Sequence, residues 1–435
     1  MTCMRRNIVH PGADSLHYEI RSIVGVGHHM QKLGRDMVWE NIGDPIAKGE
    51  KVAPWLKKIV ASIMDDSKSW GYCDSQGEFE TREVLAKYVN DRGGVQVSAD
   101  DILFFNGLGD AITRLFSSMR REARILGPSP AYSTHSSAEA AHSGYDHLTY
   151  RCDPSNGWLP DVEDIRNKVK YNDTITGILL ISPNNPTGVV YPRSILEEIV
   201  EIARQYDLVI INDEIYSHIV YNGAETVHLS EVLGDVPGIA MRGISKEFPW
   251  PGSRCGWIEV LNHSNDSTFG RYFKSLIDSK MLEVCSTTLP QKVIQKVYED
   301  ELFIPHLNTR AKIFEKRANE ACAILNKVDG ISAVTPSGAF YLTVTFNDKV
   351  LDNINPNLAM SDSLKGYFNE LMQKDIKPDH RFVYFLMAQY GICVVPLSSF
   401  CCDYMGFRMT LLEWDDSARL EILSHISDAI RQYLK

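Results

Sequence analysis

An amine, an acid, a phenol, an amide and a guanidinium recur at turn positions in this chain, and together they could hold and work an aldehyde. Ser245-Lys246 supplies the amine, and Arg254 follows the lysine by eight positions. Asp213-Glu214-Ile215-Tyr216 sets a carboxylate and a phenol three residues apart. Pro183-Asn184-Asn185-Pro186-Thr187-Gly188 is a tight polar turn. A lysine forms a Schiff base with an aldehyde, an acid holds a pyridine nitrogen protonated, and the remaining donors hold a phenolate oxygen and a phosphate. Singly, each group has an ordinary reading. Asn-Asn-Pro-Thr-Gly is a good turn by propensity alone, Asp213 can end a strand, Tyr216 can sit in a core, and most lysines are solvated. The functional reading rests on the whole set in this order and at these spacings.

Short apolar runs lead into these groups. They cover residues 102–105, 124–126, 177–182, 208–212, 238–242 and 256–260, are rich in Ile, Leu and Val, and are mostly bounded by turn residues. Strands buried on both faces of a largely parallel sheet read this way. Between two of the runs, residues 192–206 place Ile195, Ile199, Ile202, Ala203 and Tyr206 at helical spacing, and Val52, Trp55, Leu56, Ile59, Val60 and Ile63 form a similar stripe. Strand alternating with helix predicts an α/β fold. Ligands in such sheets bind beyond the carboxyl ends of the strands, which selects Asn106-Gly107, Asn184-Asn185, Asp213 and Ser245-Lys246. Past about Arg310 a long helical stretch leads to 339–345 and 392–395, which read as strands of a smaller unit. The expected organisation is an N-terminal segment with part of the small domain over 1–50, a large domain over 51–310 and a small domain over 311–435.

With 435 residues, two domains are the default. The composition, 44% hydrophobic and 23% charged, is that of a globular protein able to bury a cofactor. A formal net charge of −11 disfavours nucleic acid and anionic membrane as partners. The nine cysteines form no CxxC pair, and their odd number argues against a closed disulfide framework. The adjacent Cys401 and Cys402 have no ligand-spaced His or Cys nearby, so no metal is expected. Reduced thiols, no apolar run after the N-terminal arginines and no stretch of the roughly 20 apolar residues that span a bilayer predict a cytoplasmic protein.

The sequence resembles the class I/II aminotransferases of pyridoxal-phosphate fold type I. The resemblance lies in Asn41-Ile42-Gly43-Asp44-Pro45, Gly71-Tyr72 through Gly77, the 183–188 turn, Asp213 through Tyr216, Ser245-Lys246 with Pro251-Gly252-Ser253-Arg254-Cys255-Gly256-Trp257, and Phe407-Arg408. These run in family order over nearly the whole chain. The resemblance implies a large domain with a mostly parallel seven-stranded sheet between helices, a smaller α/β domain, and pyridoxal 5'-phosphate as cofactor. Lys246 would carry the cofactor and act as general acid/base, its basicity lowered by desolvation and cationic neighbours. Asp213 would pair with the protonated pyridine nitrogen, and Asn185 and Tyr216 would hold the phenolate oxygen. Tyr132 would stack on the ring. The backbone of Gly107, Leu108 and Gly109, with Ser245 and Arg254, would hold the phosphate. Arg408 would fork onto the substrate α-carboxylate, beside Asn185 and Gly43. Tyr72 would reach the neighbouring subunit's phosphate, which implies a homodimer with shared active sites.

Several positions depart from the family pattern. Gly243 stands where a hydroxyl is common, as does Gly109 in the phosphate turn. Trp250 either narrows the site or packs, and Pro396-Leu397-Ser398 replaces a Pro-Gly turn. Within the family, Tyr18-Glu19-Ile20-Arg21 and the Asn41 phrase look most like the alanine aminotransferase branch. There Tyr18 and Arg21 would fold over the pocket, with Arg21 meeting the distal carboxylate of glutamate or 2-oxoglutarate. An exposed surface arginine is the other reading of Arg21. The expected activity moves an amino group between an L-amino acid (alanine-like, glutamate or aspartate) and a 2-oxo acid. The rivals are another reaction on the same cofactor, such as a C–S lyase or decarboxylase, and a non-catalytic cofactor-binding regulatory module.

Overall fold

The computed structural model describes residues 9, 12–15, 19–347, 349–351 and 360–435. Eight strands form the main sheet: β1 (Ile102–Phe105), β2 (Arg124–Ser129), β3 (Thr149–Asp153), β4 (Leu159–Pro160), β5 (Ile175–Ile181), β6 (Val209–Asp213), β7 (Gly238–Gly243) and β8 (Gly256–Leu261). Their spatial order is β1-β8-β7-β6-β5-β2-β3-β4. The neighbours β7, β6, β5, β2 and β3 run parallel, whereas β8 is antiparallel to both β1 and β7. The sheet therefore has eight strands rather than the seven expected. The extra one, β4, pairs antiparallel with β3 through only two residues, too short to leave an alternating pattern. β3 also escaped the sequence pattern, because Thr149–Asp153 alternates and ends in polar residues.

The apolar strands of this sheet lack alternation for a physical reason. Every residue of β1, β7 and β8 is buried, since helices cover both faces of the sheet. One covering helix, Arg193–Gln205, buries Leu196, Ile199, Val200, Ile202 and Ala203 along a single stripe. The stripe beginning at Val52 is the helix Pro54–Met64, with proline in its first turn, where the missing N–H costs nothing.

A second, four-stranded antiparallel sheet is built from β9 (Ile331–Ala333), β10 (Tyr341–Phe346), β11 (Val395–Pro396) and β12 (Gly406–Thr410), in the order β9-β10-β12-β11. The run at 392–395 is not one strand. Ile392–Cys393 pairs with Val38–Trp39, and Val395–Pro396 pairs with β12. The chain changes sheets at Val394, so an N-terminal strand is fastened beside the C-terminal sheet.

Two seams bring the sheets together. Ser337 and Gly338 donate backbone N–H groups to Gly188 O (2.9 and 2.8 Å), and Thr343 Oγ1 donates to Pro186 O (2.9 Å). The segment 40–50 forms the second seam. Thr410 N–H donates to Glu40 O (2.9 Å), Lys48 pairs with buried Glu40 (2.6 Å), and Glu50 holds Arg310 by two hydrogen bonds (2.6 and 3.1 Å).

Candidate active site

The carboxyl ends of β5, β6 and β7 open into a cavity of about 440 Å³. Its wall includes Asn185, Asp213, Tyr216, Ser245, Lys246, Arg254, Tyr132, Leu108, Gly109, Gly43, Arg408 and Arg21. Nearly all the residues singled out from the sequence thus meet in one place. Gly107 lies just behind the wall. Tyr72 stands apart at 85% exposure and lines a surface hollow with Trp70 and Cys285. Tyr18 lies outside the described residues.

Lys246 sits in the one-turn helix Ile244–Glu247, directly after β7. Arg310 fixes that turn by donating to the carbonyls of Lys246 (2.7 Å) and Glu247 (3.0 Å). The lysine Nζ donates to Gly43 O at 2.6 Å. Loss of hydration lowers its pKa to about 8; Arg408 and Arg254 push the same way, while Asp44 and Asp213 oppose them. A lysine is thereby brought into the range where the neutral amine is available.

Asp213 ends β6 and is buried. Its Oδ1 accepts from the Ile215 N–H (3.1 Å), and its Oδ2 lies 3.0 Å from His135 Nε2. A His135 tautomer with its proton on Nε2 would donate to this carboxylate. His135 was not singled out from the sequence. It comes from the helix Ser133–Ser143, which crosses the strand end, and no local spacing reports such a crossing.

Gly107 precedes the helix Leu108–Ser117 with φ +86°, where a side chain is strained. A Cβ there would also lie 2.4 Å from Arg254 Nη2. The Gly107 N–H turns back to Phe105 O (2.8 Å), so the donors left at this helix start are the Leu108 and Gly109 N–H groups. Arg254 flanks them, its guanidinium bonded to Pro251 O (3.1 Å) and Asn106 O (3.5 Å). Backbone N–H groups at a helix start beside an arginine suit a phosphate.

Arg408 is delivered by β12, opposite Thr343 of β10. Its guanidinium stacks over Tyr341 (4.6 Å to the ring centre) and Phe400 (5.4 Å). It donates to Asn185 Oδ1 (3.3 Å) and Asn41 O (2.5 Å), and among the described residues its buried Nε has no partner. A planar cation with a donor to spare fits a carboxylate. Tyr216 shares a 2.9 Å hydrogen bond with Tyr341 OH. Sequence reading assigned Tyr341 to a strand and missed that its hydroxyl faces the site.

The departures have structural explanations. A Cβ at Gly243 would meet Cys255 O at 3.0 Å and Ile215 Cδ1 at 3.1 Å, so a side chain has little room here. Trp250 packs against the hydrophobic core and does not line the cavity. Among the described residues no cluster of His, Cys, Asp and Glu could hold a metal, and Cys401 and Cys402 form no disulfide.

The donor set fits a phosphorylated pyridine aldehyde: an amine of lowered basicity, a buried carboxylate, two donors for a ring oxygen and a helix start with an arginine. The family model for aminotransferase class I and II matches residues 36–426, and the chain belongs to that family. It is therefore an aminotransferase. It is 49% identical to an uncharacterized aminotransferase of Methanocaldococcus jannaschii, over 99% of this chain and 100% of that one. It is 32% identical to the glutamate-pyruvate aminotransferase AlaA of Escherichia coli, over 76% of this chain and 80% of that one. Among solved structures, an alanine aminotransferase from Pyrococcus furiosus superposes with a TM-score of 0.82 at 25% identity, covering 99% of each chain.

Proposed function

We propose that the cavity holds pyridoxal 5'-phosphate and that the enzyme exchanges amino groups between alanine or a dicarboxylic amino acid and a 2-oxo acid such as 2-oxoglutarate. The convergence of Lys246, Asp213, Asn185, Tyr216, Arg254 and Arg408 on one cavity carries this reading. The names of the relatives, glutamate-pyruvate and alanine aminotransferase, support the choice of substrates. When bound, the cofactor supplies an aldehyde for the amino group and a protonated ring that withdraws electrons from the substrate α-carbon. The Leu108 and Gly109 N–H groups, Ser245 and Arg254 hold the phosphate. Asp213 keeps a proton on the ring nitrogen. Asn185 and Tyr216 donate to the ring oxygen, and Tyr132 covers a ring face. Lys246, as a neutral amine, would hold the cofactor's aldehyde group and, with substrate in its place, would move the proton at the α-carbon. Arg408 grips the α-carboxylate.

Two further assignments belong to this reading. Trp70, Tyr72, Met281, Leu282 and Val284 are exposed. We assign this apolar face to the contact of a homodimer, with Tyr72 completing the partner's phosphate site. The division at residues 51 and 311 is supported by the two sheets, which occupy 102–261 and 331–410. We place the enzyme in the cytoplasm; among the described residues no disulfide forms, and no helix is long and apolar enough to cross a membrane.

The neutral amine of Lys246 is the nucleophile, which gives a pH test. Capture of the aldehyde by cofactor-free protein, followed by absorbance, should quicken about tenfold per pH unit below about 8 and level off above it. A plateau reached only in the ordinary lysine range, above about 10, would mean the cavity does not lower the amine.

Substrate choice is tested by mixing amino acids with the holoenzyme and watching the cofactor's absorption shift to its amine form. Ammonia released with pyruvate would instead indicate elimination. Arg21, in the first turn of the helix Glu19–Lys32, reaches the cavity wall with Val24. Only the dicarboxylates offer it a second carboxylate, and such a charge-assisted bond contributes roughly 1.5–3 kcal/mol. Arg21→Ala should therefore weaken glutamate and 2-oxoglutarate by about tenfold to a hundredfold and leave the alanine half-reaction nearly intact. Equal losses for both would show that Arg21 only positions its helix.

A further inference from the structure

The Tyr216 phenol has one proton and two directions in which to give it. One is the cavity; the other is the Tyr341 hydroxyl, 2.9 Å away. We propose that Tyr341 is a positioning residue: it donates to the Tyr216 oxygen and so commits the Tyr216 proton to the cofactor's ring oxygen. The inference rests on the cofactor reading above. An anionic ring oxygen selects the direction, because a Tyr216 that donated to Tyr341 would turn lone pairs toward that charge.

The surroundings are built to hold the Tyr341 hydroxyl where it is. A Cβ at Gly43 would lie 2.4 Å from the hydroxyl oxygen, so the slot exists because residue 43 has no side chain. The Gly43 segment is held on both sides, by Arg408 at the Asn41 carbonyl and by Arg310 at the Glu50 carboxylate. Gly43 O in turn accepts from Lys246 Nζ. The Tyr341 ring is clamped separately, under the Arg408 guanidinium and edge-on to Tyr216 at 5.7 Å between centroids. Both tyrosines are buried. In such a site a hydroxyl that accepts one hydrogen bond donates a stronger one, by about 10–30%. Tyr341 thus links the residue that grips the substrate carboxylate to the residue that tunes the cofactor oxygen.

Tyr341→Phe separates the two roles, since it keeps the ring beneath Arg408 and removes only the hydroxyl. The cavity charges of Asp44, Asp213, Arg254 and Arg408 stay in place. The readout is the pH midpoint of the bound cofactor's absorption band in the holoenzyme. A donor on the ring oxygen favours the form in which that oxygen's charge is not shared with a neighbouring proton, so weakening the donor raises the midpoint. We expect a rise of roughly 0.3–0.6 unit in Tyr341→Phe and no further rise when Tyr341→Phe is added to Tyr216→Phe. An unchanged midpoint in the single variant overturns the proposal. So does an equal rise in both backgrounds, which would mean that Tyr341 acts without Tyr216. If the unsubstituted protein binds the cofactor with no lysine-linked band at all, the cofactor reading falls and takes this inference with it.

Discussion

Lys246→Ala is expected to abolish multiple turnover while the protein stays folded. The fold does not depend on this side chain. The turn Ile244–Glu247 is anchored by buried Ile244 and Glu247 and by Arg310, which binds backbone carbonyls that an alanine also has. Alanine is moreover a good helix former. What disappears is the amine that faces Gly43 O and the cavity. Loss of a general acid/base alone costs about 10²–10⁴ in rate, and on the proposed reading the same atom would also be the covalent attachment point. Steady-state assays should show no turnover above background, and thermal melting should stay within a few degrees of the unsubstituted enzyme. Near-normal turnover from this variant would sink the assignment of Lys246. The cofactor should remain bound, through Arg254 and the start of the helix Leu108–Ser117, but no longer covalently.

The main sheet was legible because it is buried on both faces. The runs at 102–105 and 256–260 became β1 and β8 almost residue for residue, since all their positions but Glu259, which faces buried Arg242, are apolar. β4 was invisible because two residues carry no period, and β3 because its alternation ends in polar residues. The residues that follow the strands were legible for a related reason. A strand end points its next residues at one mouth, so Asn185, Asp213 and Lys246 could be gathered without knowing any distance. That logic stops where a side chain arrives from another direction. His135 enters from a helix and Tyr341 from the other sheet, and Glu50 and Arg310 meet across 260 positions of chain. None of these pairings leaves a trace in local periodicity. Gly43 was found through its motif, but the reason it must be glycine, the Tyr341 hydroxyl beside it, needed the fold.

Asp213→Ala should lower the rate far more than it lowers substrate affinity. On the proposed reading substrate would be gripped elsewhere, by Arg408 and Asn185, which reach the cavity from β12 and from the turn after β5. Asp213 instead contributes charge, in a place where water cannot replace it. Its Oδ1 is oriented by the Ile215 N–H, and His135 supports Oδ2, so the carboxylate is fixed before any substrate arrives. A preorganised charge in a dry site is typically worth about 10²-fold or more. We therefore expect kcat to fall by at least about 10², with KM for the amino donor changed by no more than a few-fold. Asp213→Asn separates charge from shape. It fills the same volume and still offers an oxygen to His135, but it cannot balance a proton on a ring nitrogen. If the role is electrostatic, Asn should be nearly as slow as Ala. If Asn restores most of the rate, Asp213 works by packing beside His135. A loss confined to KM in the alanine variant would place Asp213 among the substrate-binding residues, and another group would have to hold that proton.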